Sequence, residues 1–446
     1  MTPRLADISI KKRKAERTAY LDLRLIDPAS RRDETGGILT DGETIVDLGP
    51  QVTHESIPPG ATVIDARGLI AAPGLVDLRA HLREPGFEHQ ETIHTASRSA
   101  AVGGVTSIAC MPTTRPTIDD VSLVHFIERR ARETSLVKVH PVAAVTQGRK
   151  GTQLTELGLL GEAGALAFSD GPRPIMNANV MRRALSYGTV FDALIMHHAE
   201  DLHLTGDGVM NSGETATRLG LEGMAPEAET IMIARDIRLV EMTGGRLHFS
   251  SITTAESADL VRQARARGLP VSADTAPHYL VLNESAVGDY LTFTKVRPPL
   301  RGEEDRQALV AALAEGVIDA VVSAHEPRDQ DSKRQPFAQA AFGIVGLETL
   351  LPLVLEIVAS GRLGLVDALA LVTCRPADLL GLKAGRLEVG GPADIVLIDP
   401  SMTWQIDNHA FQSKSKNSPF DGRSVTGRAV RTVVSGRTVM DIASTS

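Results

Sequence analysis

The sequence predicts an α/β protein: a closed (β/α)8 barrel of the TIM type, with a small β-sandwich domain formed from both chain ends. Eight short apolar runs recur through the middle of the 446-residue chain. Stretches with helical periodicity separate most of them, the alternation expected of a parallel sheet covered by helices. Eight such units favour a closed barrel over an open doubly wound sheet, and no Gly-x-Gly-x-x-Gly follows the early strands. The two ends read instead as short strands punctuated by Gly and Pro.

Residues 1–65 contain AYLDLRLIDP, GGILTDGETIVDLGP and ATVIDARG, the N-terminal part of the sandwich. Residues 66–385 hold the barrel. Its strands are expected at LIAAPGLVDLRAHL, VTSIACMP, VKVHPVAAVT, ALAFSD, VFDALIMHHAE, GRLHFSSIT, LPVSADTAPH and VIDAVVSAHEP. Helices are expected at QETIHTASRSAAVGG, IDDVSLVHFIERRARET, EAETIMIARDIRLVEMTGG, TAESADLVRQARARG and EEDRQALVAALAEGV. Residues 386–446, with GRLEVGGPADIVLIDP and GRAVRTVVSGRTVMD, return to the strand pattern and complete the sandwich.

Aromatic residues make up only 3% of the chain, so the core must rest on Leu, Val, Ile and Ala. A net charge of −8 argues against a general affinity for nucleic acid. The two cysteines, Cys110 and Cys374, form no CxxC and fit a reducing compartment without a disulfide framework. The N-terminus has no apolar signal-peptide core. The most apolar window, GIVGLETLLPLVLEIVASG, is interrupted by Glu348 and Glu356 and does not read as a membrane span. A cytoplasmic protein with neither membrane nor nucleic-acid partner is expected. The run Lys11–Lys14, KKRK, reads as a solvated, mobile tail.

In a (β/α)8 barrel the chemistry sits at the carboxyl ends of the strands. Strand one there carries Arg79, His81 and Arg83, and strand four Ser169 and Asp170. Strand five carries His197, His198, Glu200 and Asp201, and strand eight His325.

HLREPG (81–86), ACMPTTRP (109–116), FSDGP (168–172), HAED (198–201), GVMNSGE (208–214) and RDIRLVEMTGGRLH (235–248) follow one another in order. So do APHYLVLNE (276–284), RPPLRGEEDRQAL (297–309), FGIVGLETLLPL (342–353) and SKNSPFDG (415–422). Through this series, nearly its whole length, the chain resembles the bacterial dihydroorotases of the cyclic amidohydrolase superfamily. The resemblance implies a two-zinc hydrolase. Its metals are held by two histidines of Asp-x-His-x-His, a bridging strand-four carboxylate, one His each on strands five and six, and a strand-eight Asp that also shuttles protons. Bound zinc lowers the pKa of its water and makes hydroxide available near neutrality.

Carried over residue by residue, the pattern is incomplete. The first His of the pair falls on Arg79, whose guanidinium has no lone pair for a metal. His81, Asp170 and His198 remain and could hold one zinc at a reduced site; otherwise no cofactor is expected. The strand-six His falls on Ser251 and the strand-eight Asp on Ala324. Among substrate contacts, Arg83 is retained, while Thr113, Arg297 and Arg328 stand where the family has Asn, Asn and His. Strand alternation turns His197 and His248 away from the mouth and disfavours His325 as a substitute. Arg79 is expected to pair with Asp170, and Arg79, Arg83, Arg297 and Arg328 to line a pocket for an anionic small molecule.

Two functions follow as expectations. With three ligand positions lost, the first is a catalytically inactive dihydroorotase homologue, a pseudoenzyme. The resemblance implies for it a structural role beside aspartate transcarbamoylase in pyrimidine biosynthesis, within an oligomer. The alternative is an active dihydroorotase or related cyclic amide hydrolase with a reduced metal site, with His325 or Glu326 as base and a substrate other than dihydroorotate.

Overall fold

The computed structural model describes residues 3–442. All eight expected barrel strands form, in parallel and in chain order: β1 (Leu75–Ala80), β2 (Val105–Cys110), β3 (Lys138–Ala143), β4 (Ala167–Ser169), β5 (Leu194–His197), β6 (Arg246–Phe249), β7 (Val271–Thr275) and β8 (Ala320–Val321). Each pairs with its neighbour in parallel. The ring closes where Ala80 bridges His325, whose carbonyl accepts from His81 N at 2.8 Å. Lower in the seam, Val372 and Leu371 accept from Val76 N and Val321 N. Strands β1 and β2 are buried at every residue. Such runs form strands because both faces are covered, one by the barrel interior and the other by helices.

The expected helices are present at Ile93–Val102, Val121–Thr134, Glu227–Thr243, Ala255–Ala266 and Glu303–Ala314. Local chemistry starts several of them. Thr92 forms a capping box with Thr95, Asp120 accepts from Ser122 N, and Thr254 accepts from Ser257 N. Apolar faces bearing Ala96, Ala100, Val124, Ile127, Val261 and Ala264 pack onto the barrel in one continuous core.

The chain ends build a second, nine-stranded sheet. Its order is Arg4–Leu5, Arg437–Asp441, Ser424–Val434, Ile395–Gln405, Ile70–Pro73, Thr18–Asp27, Arg32–Asp41, Thr44–Gly49, with Thr62–Asp65 beside Thr18–Asp27. The two termini meet where Ile70–Pro73 pairs antiparallel with Ile395–Ile398. The run Lys11–Lys14 is no free tail: Ile8–Lys12 form a helical turn and Lys11 Nζ donates to Ala131 O at 3.2 Å. The Lys12 side chain lies outside the described residues. Among the described residues, no helix is long and apolar enough to cross a membrane.

Candidate active site

The carboxyl ends of the strands carry buried charge, which the barrel tolerates only because most of it is paired. Arg79 near the end of β1 and His81 just after it, two residues apart, share one side of the chain and are 4% and 1% exposed. His81 Nδ1 lies 2.6 Å from Thr113 Oγ1 at the end of β2. Arg79 Nη1 crosses the mouth and donates to Ser251 Oγ beyond β6. Ser251 N in turn donates to Asp274 Oδ1 at 2.7 Å.

The expected Arg79–Asp170 pair does not form. Asp170 turns toward β3, where Thr146 N donates to it at 2.9 Å and Thr146 Oγ1 donates to its other oxygen. Two short-range donors on one residue satisfy this carboxylate better than a guanidinium already engaged by Ser251. Burial still raises the Asp170 pKa.

His198 follows β5. Its Nε2 lies 2.8 Å from Glu200 Oε2, and a carboxylate only accepts, so Nε2 carries the proton and Nδ1 presents a lone pair. Arg297 grips the same carboxylate through Nε, at 2.8 and 3.0 Å, and through Nη2. Burial alone would raise the Glu200 pKa, but His198 and Arg297 hold it well below the usual carboxylate range. Burial lowers the pKa of His198 and, more strongly, of His81, so both rings are neutral near pH 7. His81 Nε2 and His198 Nδ1 are buried without a hydrogen-bond partner.

The expected four-arginine pocket is mostly neutralised. Arg83 Nη2 and Arg328 Nη2 share Glu326 Oε1 at 3.3 and 2.6 Å, and Arg297 is spent on Glu200. Burial would raise the Glu326 pKa, but the surrounding guanidinium groups of Arg328, Arg83 and Arg79 hold it far below its ordinary value. Glu326 is therefore an anchored counter-charge and not a base. His325 does not serve as base either: its Nδ1 accepts from Gly346 N and its Nε2 faces Glu91 at 3.4 Å. His197 is held by Asp236 and Ile175 N, and His248 by Ser272 and Asp274, so both are structural. Sequence reasoning missed the carboxylate partners. The signal was there in part, since HAED places Glu200 two residues after His198 and HEPR places Glu326 two residues before Arg328.

The residues present do not fit a zinc centre. Zinc asks for about four N, O or S donors converging on one point. Here Asp170 is consumed by Thr146, Ala324 offers no donor, and the positive charge of Arg79 bears on both His81 and His198. Among the described residues no group of three or more His, Cys, Asp or Glu is placed to hold a metal ion. The reduced site of His81, Asp170 and His198 is not assembled. The backbone at the altered positions is left-handed, with φ +57° at Ser251 and +48° at Ala324.

The family profile described as dihydro-orotase-like matches residues 68–257. A protein named "Dihydroorotase" from Geobacter sp. (strain M21) is 46% identical over 416 residues, 93% of this chain and 97% of that one. The chain belongs to the dihydroorotase family. A second "Dihydroorotase", from Wolbachia sp. subsp. Brugia malayi (strain TRS), is 44% identical over 95% of this chain and 96% of its own. Among solved structures, the L-hydantoinase (dihydropyrimidinase) from Arthrobacter aurescens superposes with a TM-score of 0.85 at 25% identity, covering 95% and 96% of the two chains. The dihydropyrimidinase from Brevibacillus agri NCHU1002, at 24% identity and a TM-score of 0.83, shares the fold.

This membership overturns the expectation of an inactive structural partner of aspartate transcarbamoylase. Close relatives along nearly the whole dihydroorotase-family chain carry the name of an enzyme. The altered ligand positions bear on a metal. They leave two imidazole nitrogens, His81 Nε2 and His198 Nδ1, buried without a hydrogen-bond partner.

Proposed function

We propose that this chain is a cyclic-amide hydrolase of the dihydroorotase type that works with a reduced set of polar groups at the barrel mouth. The observation that carries the reading is His198. In a family of ring-opening hydrolases, it is a buried neutral imidazole whose Nε2–H is fixed by Glu200, leaving Nδ1 as an unpartnered lone pair. Arg297 fixes Glu200 in turn, so the ring cannot rotate without breaking a buried charge-assisted network.

In this reading His198 Nδ1 accepts a proton from water as the water oxygen bonds to the ring amide carbonyl carbon. The carbon–nitrogen bond then breaks, and the proton passes from Nδ1 to the departing ring nitrogen. One cyclic amide and one water give one ring-opened ureido acid. The relatives' name makes dihydroorotate the first substrate to offer, with N-carbamoyl-L-aspartate for the reverse direction.

The test is turnover of both compounds by protein pretreated with a chelator, followed by the same assay with added zinc. Turnover above the no-enzyme blank is expected, falling at least about 100-fold in His198→Asn, the usual scale for a lost acid–base group. Rates equal to the blank for both compounds, with and without zinc, would overturn the reading.

A further inference from the structure

The four arginines of the mouth are not equivalent. Arg83 and Arg328 are neutralised by Glu326, and Arg297 by Glu200. Arg79 has no carboxylate partner among the described residues, although it is 4% exposed. Among the described residues its side chain hydrogen-bonds only to the Ser251 hydroxyl, which stands 3.4 Å from Asp274 Oδ1. Asp274 is itself engaged by His248 Nε2 and Ser251 N. A buried cation served by a neutral hydroxyl is costly unless something anionic joins it.

The position of this cation is as informative as its lack of a partner. Arg79 and Ser251 replace the two histidines that the family resemblance places on β1 and after β6, and their side chains close that gap directly. The positive field of Arg79 reaches His81, His198, His278 and Glu326, groups contributed by β1, β5, β7 and the loop after β8. One fixed charge therefore acts on groups that follow four different strands, and two of these groups, His81 and His198, each hold a ring nitrogen without a partner.

We propose that Arg79 replaces the metal of this site, as a permanent guanidinium that receives the ligand's anionic oxygen in a pocket that does not bind zinc. The inference rests on the cyclic-amide reading for the class of ligand. The oxygen concerned is the ring amide carbonyl, which becomes a carboxylate when the ring opens. A guanidinium offers that product two parallel N–H donors and offers the uncharged amide less, so the ring-opened acid is held more tightly than the ring. Unlike a metal, Arg79 is covalently part of the chain and cannot be removed by chelation.

Two measurements on the full-length protein test this. In the first, chelator-treated protein is titrated calorimetrically with N-carbamoyl-L-aspartate. Binding without metal is expected, weakened at least 10-fold in Arg79→Met and less in Arg79→Lys, which also serves if the Met variant does not fold. In the second, the same protein is titrated with zinc chloride, and no stoichiometric uptake sensitive to His198→Asn is expected. Failure of the probe to bind, equal affinity in folded Arg79→Met, or His198-dependent zinc uptake would each overturn the proposal. Turnover that chelation abolishes and zinc restores would overturn it while leaving the hydrolase reading standing. Arg79-dependent binding without turnover would support it while removing the hydrolase reading.

Discussion

Glu326 shows how one residue sets the electrostatics of the mouth. It is 7% exposed and is the shared counter-charge of Arg83 and Arg328. Glu326→Gln keeps the shape and removes the charge, stranding two guanidinium groups, one of them fully buried. Breaking a buried ion pair from one side costs about 3 kcal/mol or more. Chemical denaturation should show a loss of that order with an unchanged m-value, whereas Glu326→Asp should lose less. The same residue illustrates a limit of reading single positions. Arg83 and Arg328 look like an anion-binding pair in sequence, and only their common contact with Glu326 shows that their charge is already spent.

Among the elements, the segment after β8 is held over the mouth by a short stretch near the C-terminus. Asn417 Nδ2 donates to Glu326 O at 3.1 Å and to Gly343 O at 3.0 Å, and Asn417 Oδ1 accepts from Arg328 N at 3.1 Å. Arg328 Nε reaches Phe342 O within the loop, and Lys333 Nζ donates to Thr292 O and Lys295 O, tying the loop to the segment 292–295. Asn417 is buried, so its loss leaves backbone groups without partners. Asn417→Ala should cost about 2 kcal/mol. Amide exchange in residues 326–343 should accelerate far more than in β2 or β3, and equal acceleration throughout would mean that the contact is not local. Because the loop carries Glu326 and Arg328, loosening it should also weaken ligand binding.

For the whole molecule, the second sheet and the barrel depend on one buried carboxyl. Glu348 sits just before the helix Leu350–Ala359 and accepts from Ser99 Oγ, Gln412 N and Ser413 N, joining a barrel helix to the C-terminal segment. Ser413 Oγ continues the link to Glu91, which faces His325 at the barrel seam. Burial pushes the Glu348 carboxyl up from its ordinary 4.5 to about 7, outweighing those three donors. A carboxyl raised in the folded state favours folding when protonated. Its contribution is therefore complete below about pH 4.5 and is lost as pH rises through about 7, a change of about 3 kcal/mol at 1.36 kcal/mol per unit. Glu348→Gln should flatten the stability profile across that window, as read by thermal or urea unfolding at several pH values. A wild-type profile that rises between pH 4.5 and 7 with no change in the variant would contradict this account.

The sequence by itself determined the architecture, because it depends on patterns repeated many times. Eight buried apolar runs alternate with amphipathic helices, and several of those helices carry their own capping residue, so no single misreading could alter the outcome. Identity also determined which groups are missing: Arg79, Ser251 and Ala324 supply none of the imidazole and carboxylate donors that the family resemblance places there. What only the tertiary structure decided was pairing. Asp170 chose Thr146 over Arg79, Glu326 took two arginines at once, and Glu200 locked both His198 and Arg297. These contacts join residues of different strands and loops, and the energy of a buried charge depends on which partner lies within a few ångströms. Of the four arginines expected at the mouth, Arg79 became visible as the one without a carboxylate only once Arg83, Arg297 and Arg328 had been matched.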